Sequence, residues 1–204
     1  MKILNLYSGI GGNRKHWCGP VTAVERDPNI AKVYANLYPD DFLVVGDAHE
    51  YLRKNAGLFD FIWSSPPCQS HSRMIRSGRN RKRRYPDLSL YEEVLFLQNN
   101  FSGKWVVENV VPYYKPLIPA FQSGRHLFWS NLNLGGLQVP KFKGNFINST
   151  TVAGAEALKD WLGIHYNGNI YYGDNHCPAQ VLRNCVHPVV GEQIMKMVMA
   201  QIVE

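Results

Sequence analysis

The sequence predicts an α/β fold with a doubly wound, mainly parallel sheet, and three observations lead to this prediction. Short apolar runs alternate with amphipathic stretches of helical period over the first half of the chain, as in parallel sheets with crossover helices. A glycine-rich loop ends the first apolar run, and polar residues follow each later run. The chain of 204 residues has the size of one domain, and we expect a single domain over 1–204.

The predicted elements alternate in order along the chain. Apolar runs predict strands, which are 2–7, 21–25, 42–45, 59–63 and 105–107. Helical spacing predicts helices, which are 29–38, 49–55, 88–99, 155–162 and 189–202. Beyond residue 112 the chain is rich in proline and glycine, so we expect a short irregular insertion there and no second domain.

Composition and spacing argue against several classes of protein. No apolar run approaches the roughly 20 residues of a membrane helix, and the N-terminus lacks the features of a secretory signal. We therefore expect no membrane partner and a cytoplasmic location. The four cysteines form no Cys-x-x-Cys pair, and the histidines are not spaced as ligands, so neither a disulfide framework nor a bound metal is expected.

The positive charge of the chain is concentrated in one segment. The formal net charge is +6, and the segment between Arg73 and Arg84 carries seven basic residues. Because the rest of the chain is about neutral, a local contact with a polyanion is expected. A solvated, disordered run of charge is the open alternative. The basic residues are Arg73, Arg76, Arg79, Arg81, Lys82, Arg83 and Arg84.

Residues of unusual chemistry follow the predicted strands. In an open parallel sheet, ligands bind at the carboxyl ends of the strands. These positions hold the loop 8–12, Glu25, Asp47, the segment 66–69 and the pair 108–109. A turn glycine or a helix-capping acid explains any single one, but five in succession predict a binding site. Because the loop departs from the Gly-x-Gly-x-x-Gly pattern, a cofactor without a pyrophosphate fits better.

The order of these motifs resembles the cytosine-C5 DNA methyltransferase family. The motifs are LYSGIGG at 6–12, Glu25, Gly46-Asp47, Pro67-Cys68-Gln69, Glu108-Asn109-Val110, Gly124-Arg125-His126 and the segment 184–188. They span almost the whole chain. The resemblance implies a Rossmann-like class I methyltransferase fold, a single catalytic domain, S-adenosylmethionine (SAM) as cofactor, and methyl transfer to C5 of cytosine in DNA.

The resemblance assigns the covalent chemistry to three side chains. Cys68 is expected to add to C6 of a flipped-out cytosine, which activates the poorly nucleophilic C5. Glu108 is expected to contact N3, for which its carboxyl must be neutral at least transiently, and Arg125 is expected to contact O2. Because only about a few per cent of a free thiol is ionised near neutral pH, positive charge from Arg73 and Arg125 is expected to help.

Two binding surfaces also follow from the resemblance. SAM is expected to contact the first three strand ends and a late asparagine, with Glu25 on the ribose hydroxyls and Asp47 on the adenine amino group. The expected cofactor residues are Tyr7, Ser8, Gly9, Ile10, Gly11, Gly12, Glu25, Arg26, Asp47, Ala48 and Asn184. Duplex DNA is expected to contact Gln69, Ser70, Arg73, Arg76, Arg79, Arg81, Arg83 and Arg84, largely through its phosphates.

The chain departs from the family pattern at two places. Segment 134–151 is short for a target-recognition region, so we expect a short or relaxed recognition sequence, or help from a protein partner or a second copy. Arg125 is followed by a histidine rather than by the family's usual arginine spacing.

Alternative functions stay open at this point. The same chemistry occurs in a branch that methylates tRNA cytosine, although the Cys-Phe-Thr tripeptide of that branch is missing here. The short recognition segment also fits a catalytically idle or partner-dependent DNA-binding relative. A bacterial or viral origin and a role in restriction-modification are expected from the resemblance.

Overall fold

The computed structural model describes residues 1–73, 85–144, 152–173 and 177–202. In these residues a seven-stranded sheet has the order β3-β2-β1-β4-β5-β7-β6. The first five strands of this order pair in parallel, and β7 pairs antiparallel with β5 and β6. The predicted doubly wound, mainly parallel α/β fold is confirmed. The strands are β1 (Ile3–Leu6), β2 (Thr22–Glu25), β3 (Phe42–Val45), β4 (Phe61–Ser64), β5 (Lys104–Val110), β6 (Phe121–Ser123) and β7 (His126–Ser130).

Helices connect the parallel strands, and three more helices come after the last strand in the sequence. They are α1 (Pro28–Leu37), α2 (Ala48–Asn55), α3 (Ser89–Asn100), α4 (Val152–Leu162), α5 (Gln180–Arg183) and α6 (Pro188–Ile202), with a 3₁₀ turn at Ala56–Leu58. The start of α1 follows from local chemistry, since the Asp27 side chain accepts hydrogen bonds from two backbone N–H groups and Pro28 fixes the first helical φ. Five of these six helices match the predicted ones, and the short α5 was not predicted.

Alternating side chains of the strands supply the cores on the two faces of the sheet. On β4, Phe61 and Trp63 pack with residues of α6, whereas Ile62 packs with residues of α2 and α3. The alternation has this effect because successive side chains of a strand point to opposite faces. Helices on both faces therefore bury the central strands completely, which explains their nearly continuous apolar sequences.

A third cluster joins the first loop to the C-terminal part of the chain. Ile10 packs with residues of α1, α4 and α5. A Cβ at Gly12 would lie 2.4 Å from the Val186 carbonyl, and one at Gly191 would lie 2.0 Å from the Asn13 carbonyl. These close backbone contacts hold the segment before α6 against the loop after β1, and so bring the late motif to the edge of the sheet.

The region after β5 contains two strands, β6 and β7, that the sequence did not predict. There β6 and β7 form a hairpin in which Ser123 pairs with His126 across the loop Gly124-Arg125. Gly124 has φ +59° at the first loop position, as type II′ hairpin turns require. The hairpin extends the sheet beyond β5 and carries Arg125 at its tip.

Only part of the predicted recognition segment, 134–151, lies in the described residues. Leu134 and Leu137 are buried in the core on the α6 side of the sheet. The backbone N–H of Gln138 donates a hydrogen bond to the Gln193 side chain (3.1 Å) on α6. The beginning of this segment therefore packs against the protein itself.

Candidate active site

A cleft of about 240 Å³ opens at the carboxyl edge of the sheet. Its wall combines the chain after each of the five parallel strands with the β6–β7 turn and residues around α5. The cleft thus brings the expected cofactor and catalytic residues together. The predicted residues in its wall are Tyr7, Ser8, Gly9, Gly12, Glu25, Arg26, Asp47, Ala48, Cys68, Gln69, Glu108, Arg125 and Asn184.

Cys68 lies in a loop that is tied to both β4 and β5. The Asn109 Nδ2 group, at the end of β5, donates a hydrogen bond to the Pro66 carbonyl (2.8 Å). The Cys68 carbonyl accepts hydrogen bonds from the backbone N–H groups of His71 (3.1 Å) and Ser72 (2.9 Å), so the chain turns directly after the thiol. These contacts fix the position of Cys68 relative to the sheet.

The surroundings of Cys68 keep its thiol protonated in the free protein. Burial, together with the nearby charge of Glu108, raises the pKa of Cys68 to about 11, although Arg125 acts to lower it. Arg73 is exposed, and its Nε donates a hydrogen bond to the Pro112 carbonyl (3.3 Å). Of the two arginines expected to help, Arg125 is therefore the one whose charge acts on the thiol in this structure.

Glu108 and Arg125 are linked through a residue that lies between them, His126. The Nδ1 atom of His126 and Oε1 of Glu108 form a hydrogen bond. The Nε group of Arg125 donates a hydrogen bond to Nε2 of His126 (3.2 Å). The antiparallel register that pairs Val110 of β5 with His126 of β7 makes these contacts possible.

The guanidinium of Arg125 bridges the hairpin turn and the chain around α5. Its Nη2 group donates to the Arg183 carbonyl (3.4 Å), and the Arg125 carbonyl accepts a hydrogen bond from Val111 N–H (2.9 Å). Desolvation by the surrounding protein lowers the pKa of Arg125, whereas the charges of Glu108 and Cys68 raise it. Because an arginine pKa starts above 12, the group stays positively charged.

The first residue after β1, Tyr7, has a strained backbone conformation. Tyr7 has φ +53°, in the left-handed region that side chains other than glycine rarely adopt. Its hydroxyl donates to Oε1 of the buried Glu93 (2.6 Å), whose Oε2 accepts a hydrogen bond from the Ser64 hydroxyl (2.6 Å). This clamp holds the strained residue in the wall of the cleft, where backbone strain is often found.

The glycines of this loop have different roles. Gly9 has φ +56° and faces open space, so a ligand can approach its backbone. Gly11 instead makes room for Tyr38, whose Cε2 would lie 2.2 Å from an added Cβ, and Gly12 makes room for the backbone of Val186. Ile10 is fully buried, and neither Ile10 nor Gly11 lines the cleft. Direct cofactor contact is therefore supported for Gly9 and not for Ile10 or Gly11.

Two carboxylates lie at the carboxyl ends of neighbouring strands, Glu25 as the last residue of β2 and Asp47 just after β3, and the backbone orients both. Glu25 accepts hydrogen bonds from the N–H groups of Gly9 (2.9 Å) and Asp27 (2.9 Å), one on each oxygen. Burial raises the pKa of Glu25, although these N–H groups lower it. Asp47 caps α2 by accepting a hydrogen bond from Glu50 N–H (2.9 Å) through Oδ1. Each acid has further acceptor capacity for a ligand.

Asn184 meets the cleft together with an aromatic residue that the sequence did not single out. Its Nδ2 group donates to the hydroxyl of Tyr172 (2.8 Å), and its Oδ1 accepts from Gln180 Nε2 (2.9 Å). Burial raises the pKa of Tyr172 to about 12, and the charges of Cys68 and Glu25 contribute. The Tyr172 hydroxyl therefore lies within electrostatic reach of both the catalytic and the cofactor residues.

Sequence reasoning missed His126, Tyr172 and Glu93. His126 had a partial signal, because the two-residue loop Gly124-Arg125 before the apolar run 127–129 indicates a hairpin, but nothing local shows that the hairpin pairs with β5. Glu93 and Tyr172 had none, since a helical acid and a loop tyrosine are ordinary in sequence.

The chain before the basic segment and the chain after it come together near Cys68. Ser70 does not line the cleft, but its hydroxyl accepts a hydrogen bond from Asp87 N–H (3.1 Å), which brings the chain after the segment back beside Cys68. Gln69 is in the cleft wall, and Arg73 is exposed. The other predicted phosphate contacts lie outside the described residues; they are Arg76, Arg79, Arg81, Arg83 and Arg84.

Two further features were searched for in the described parts of the chain. No group of three or more His, Cys, Asp or Glu side chains there is arranged to hold a metal ion. None of the helices there combines the length and the apolar character needed to cross a membrane.

The fold and the cleft define an α/β protein that binds ligands at the carboxyl edge of a parallel sheet, with a thiol, a carboxylate and a guanidinium in one wall. Residues 1–113 match the family model of the C-5 cytosine-specific DNA methylases, which is more than half of the chain. The chain therefore belongs to the C-5 cytosine-specific DNA methylase family, whose members are SAM-dependent methyltransferases.

Comparison with solved structures gives remote similarities. A hypothetical protein of Thermus thermophilus is 16% identical, with 63% of this chain and 73% of that chain covered and a TM-score of 0.43. A DNMT2 variant of Spodoptera frugiperda is 28% identical, with 53% and 35% covered and a TM-score of 0.36. A protein described as a putative DNA modification methyltransferase of an Escherichia coli prophage is 22% identical, with 56% and 33% covered and a TM-score of 0.37. Comparison with curated proteins found no match.

Proposed function

We propose that this chain transfers a methyl group from SAM to C5 of cytosine in DNA through a covalent bond between Cys68 and C6 of a flipped-out base. The observation that carries the proposal is the meeting of Cys68, Glu108 and Arg125 in the same cleft as Glu25 and the loop after β1. These residues come from separate parts of the chain. A thiol, an acid and a fixed positive charge are the groups that addition to a pyrimidine ring needs.

The residues of the cleft fit SAM. The Ser8 hydroxyl is buried in the wall and has no hydrogen-bond partner among the described residues, and Gly9 leaves room beside it. These groups suit the amino-acid part, the oriented Glu25 suits the ribose diol, and Asp47 suits the adenine amino group. When bound, SAM supplies the electrophilic methyl group that C5 accepts.

The charges around Cys68 explain how its protonated thiol can react. As the sulfur bonds to C6, the thiol gives up its proton to water, and the electron pair of the C5–C6 double bond moves towards N3 and O2. A protonated Glu108 does not raise the pKa of Cys68 and can donate its proton to N3, while Arg125 stabilises negative charge at O2. After C5 has accepted the methyl group, water takes the C5 proton, the S–C6 bond breaks with its electron pair returning to sulfur, and the N3 proton returns to Glu108.

DNA is the proposed substrate because the family acts on it and because the residues that flank the basic segment, Ser70 and Asp87, contact each other close to Cys68. A flipped base costs a few kcal/mol to unstack, which contacts with phosphates can offset. Since the described start of segment 134–151 packs against α6, base reading falls to its later part, to the basic segment or to a partner. We therefore propose a short or relaxed target sequence.

The proposal is tested by methyl transfer from labelled SAM into duplex DNA, single-stranded DNA and tRNA, with wild type and Cys68→Ala. We expect label in duplex DNA with wild type, and a decrease of at least about 10³-fold with Cys68→Ala. Label in tRNA alone would overturn the DNA substrate. An unimpaired Cys68→Ala would overturn the covalent mechanism. The absence of transfer until a second protein is added would favour a partner-dependent relative.

A further inference from the structure

His126 is a buried residue whose two ring nitrogens contact two of the proposed catalytic groups. It begins β7, directly after Arg125, and its side chain lines the cleft. Nδ1 contacts Oε1 of Glu108, and Nε2 lies 3.2 Å from Nε of Arg125. The His126 ring also stacks against Phe128, with 6.3 Å between centroids and 30° between planes. The imidazole is therefore held on its edges and on one face.

The contact with Arg125 determines the tautomer of His126. The Nε group of an arginine can only donate a hydrogen bond, so Nε2 of His126 must accept it. In the neutral ring the proton then resides on Nδ1, which donates it to Oε1 of Glu108. This hydrogen bond engages Oε1 of the Glu108 carboxyl group, so Oε2 is the oxygen that remains for a substrate.

We propose that His126 is a positioning residue that orients the Glu108 carboxyl and the Arg125 guanidinium relative to one another. The inference rests on the proposed function, because it concerns how those two groups meet the cytosine ring. With His126 between them, Glu108 presents Oε2 towards N3, and Arg125 is kept from closing directly onto the carboxylate. Without the imidazole, the two opposite charges can pair with each other instead of with N3 and O2.

Two substitutions separate hydrogen bonding from space filling. Leucine in His126→Leu fills the site without either hydrogen bond. Glutamine in His126→Gln has an amide that can donate to Glu108 and accept from Arg125, as the imidazole does. Leu127→Val is the matched control, because Leu127 is buried next to His126 on the same strand but packs in the apolar core on the opposite face of the sheet. All variants are assayed below their Tm for kcat, for KM of duplex DNA and for Kd of SAM.

We expect His126→Leu to lower kcat by about 10- to 100-fold, because this is the usual effect of losing a hydrogen bond to a charged group. The Kd of SAM is expected to change by less than about 2-fold. His126→Gln is expected to restore kcat to within about 5-fold of wild type. The Leu127→Val control is expected to lower Tm and leave kcat unchanged. The inference is overturned by an unimpaired His126→Leu, by equal losses in the His126→Leu and His126→Gln variants, or by an equal loss of kcat in Leu127→Val.

A readout without substrate tests the contact itself, also in case His126→Leu does not fold. The ¹⁵N chemical shifts of the His126 imidazole in wild-type protein report which nitrogen carries the proton. The Nδ1–H tautomer is expected, and the Nε2–H tautomer would overturn the inference. If wild type transfers no methyl group to DNA, the proposed function fails; if wild type is active and His126→Leu is equally active, only the inference fails.

Discussion

The two walls of the cleft hold their polar groups in different ways. The catalytic wall, formed by Cys68, Glu108, Arg125 and His126, links side chains to one another, so that each charge changes the chemistry of its neighbour. In the loop wall, formed by Tyr7, Ser8, Gly9, Gly12, Glu25 and Asp47, backbone N–H groups orient the two carboxylates. The side chains of the catalytic wall are therefore electrostatically coupled to one another, whereas each carboxylate of the loop wall is oriented independently by its own backbone donors.

This difference indicates where the effects of substitution will appear. A change in the catalytic wall should alter the pKa of Cys68 and the rate of the chemical step, because its members interact electrostatically. A change in the loop wall should alter SAM affinity and leave the chemical step nearly intact at saturating SAM. Substitution of residues that support the loop wall without lining the cleft should lower the stability of the fold and leave activity unchanged.

Among the neighbours of Cys68 in the catalytic wall, Glu108 should show the largest effect, and Glu108→Gln should have two consequences of opposite sign. Methyl transfer should fall by about 10²- to 10³-fold, because glutamine cannot supply a proton to N3. Alkylation of Cys68 by iodoacetamide at pH 8 should become faster, because the charge that raises the pKa of Cys68 is gone. Rates of both reactions, measured on the same preparations, check the prediction. Slower alkylation would show that Glu108 does not act on the thiol.

Arg125→Gln should change the thiol in the other direction. Because Arg125 lowers the pKa of Cys68, its removal should raise that pKa above about 11 and slow alkylation at pH 8. Methyl transfer should fall by about 10- to 100-fold through the lost charge at O2. The pH dependence of alkylation between pH 8 and 11 reports the shift. Arg73→Gln is the matched control and should leave alkylation unchanged, since Arg73 is exposed and its Nε is bound to the Pro112 carbonyl.

Glu25→Ala tests the loop wall. The Kd of SAM should rise by about 10- to 100-fold, because the ribose hydroxyls lose a charged acceptor and the N–H groups of Gly9 and Asp27 lose their partner. At saturating SAM, kcat should stay within about 3-fold of wild type. Calorimetric titration and steady-state kinetics separate the two quantities. Glu50→Gln, an exposed acid on α2, is the control expected to change neither.

Asp41→Asn should leave activity intact and lower stability. Burial alone would raise the pKa of Asp41, but hydrogen bonds from Arg14, Tyr34 and Val21 N–H outweigh it, so the pKa is lowered. The carboxylate therefore stabilises the fold above its unfolded pKa, and this stabilisation is lost as pH falls through the lower folded pKa. The substitution should cost roughly 3 kcal/mol near neutral pH, as for a broken buried ion pair, and less in acid. Denaturant unfolding at several pH values measures this; a pH-independent loss would contradict it.

Much of the site could be predicted because the strands that carry it are parallel and sequential. The carboxyl ends of β1, β2, β3, β4 and β5 meet at one edge in any doubly wound sheet. Glu25, Asp47, Cys68 and Glu108 could therefore be assigned to one site from their positions near these strand ends alone. His126 required knowledge that β7 pairs antiparallel with β5, which local pattern does not determine. Ile10 and Gly11 were assigned to the cofactor from the motif, but packing against the protein explains them.

The direct test of the central claim is covalent trapping of wild-type protein on duplex DNA that contains 5-fluorocytosine, in the presence of SAM. Fluorine at C5 cannot leave as a proton does, so the S–C6 bond should persist. Peptide mass spectrometry should find the base on Cys68, and Cys68→Ser should trap nothing. If methyl transfer is active but wild type gives no adduct, or if Cys68→Ser is trapped equally well, the assignment of Cys68 as the nucleophile is contradicted.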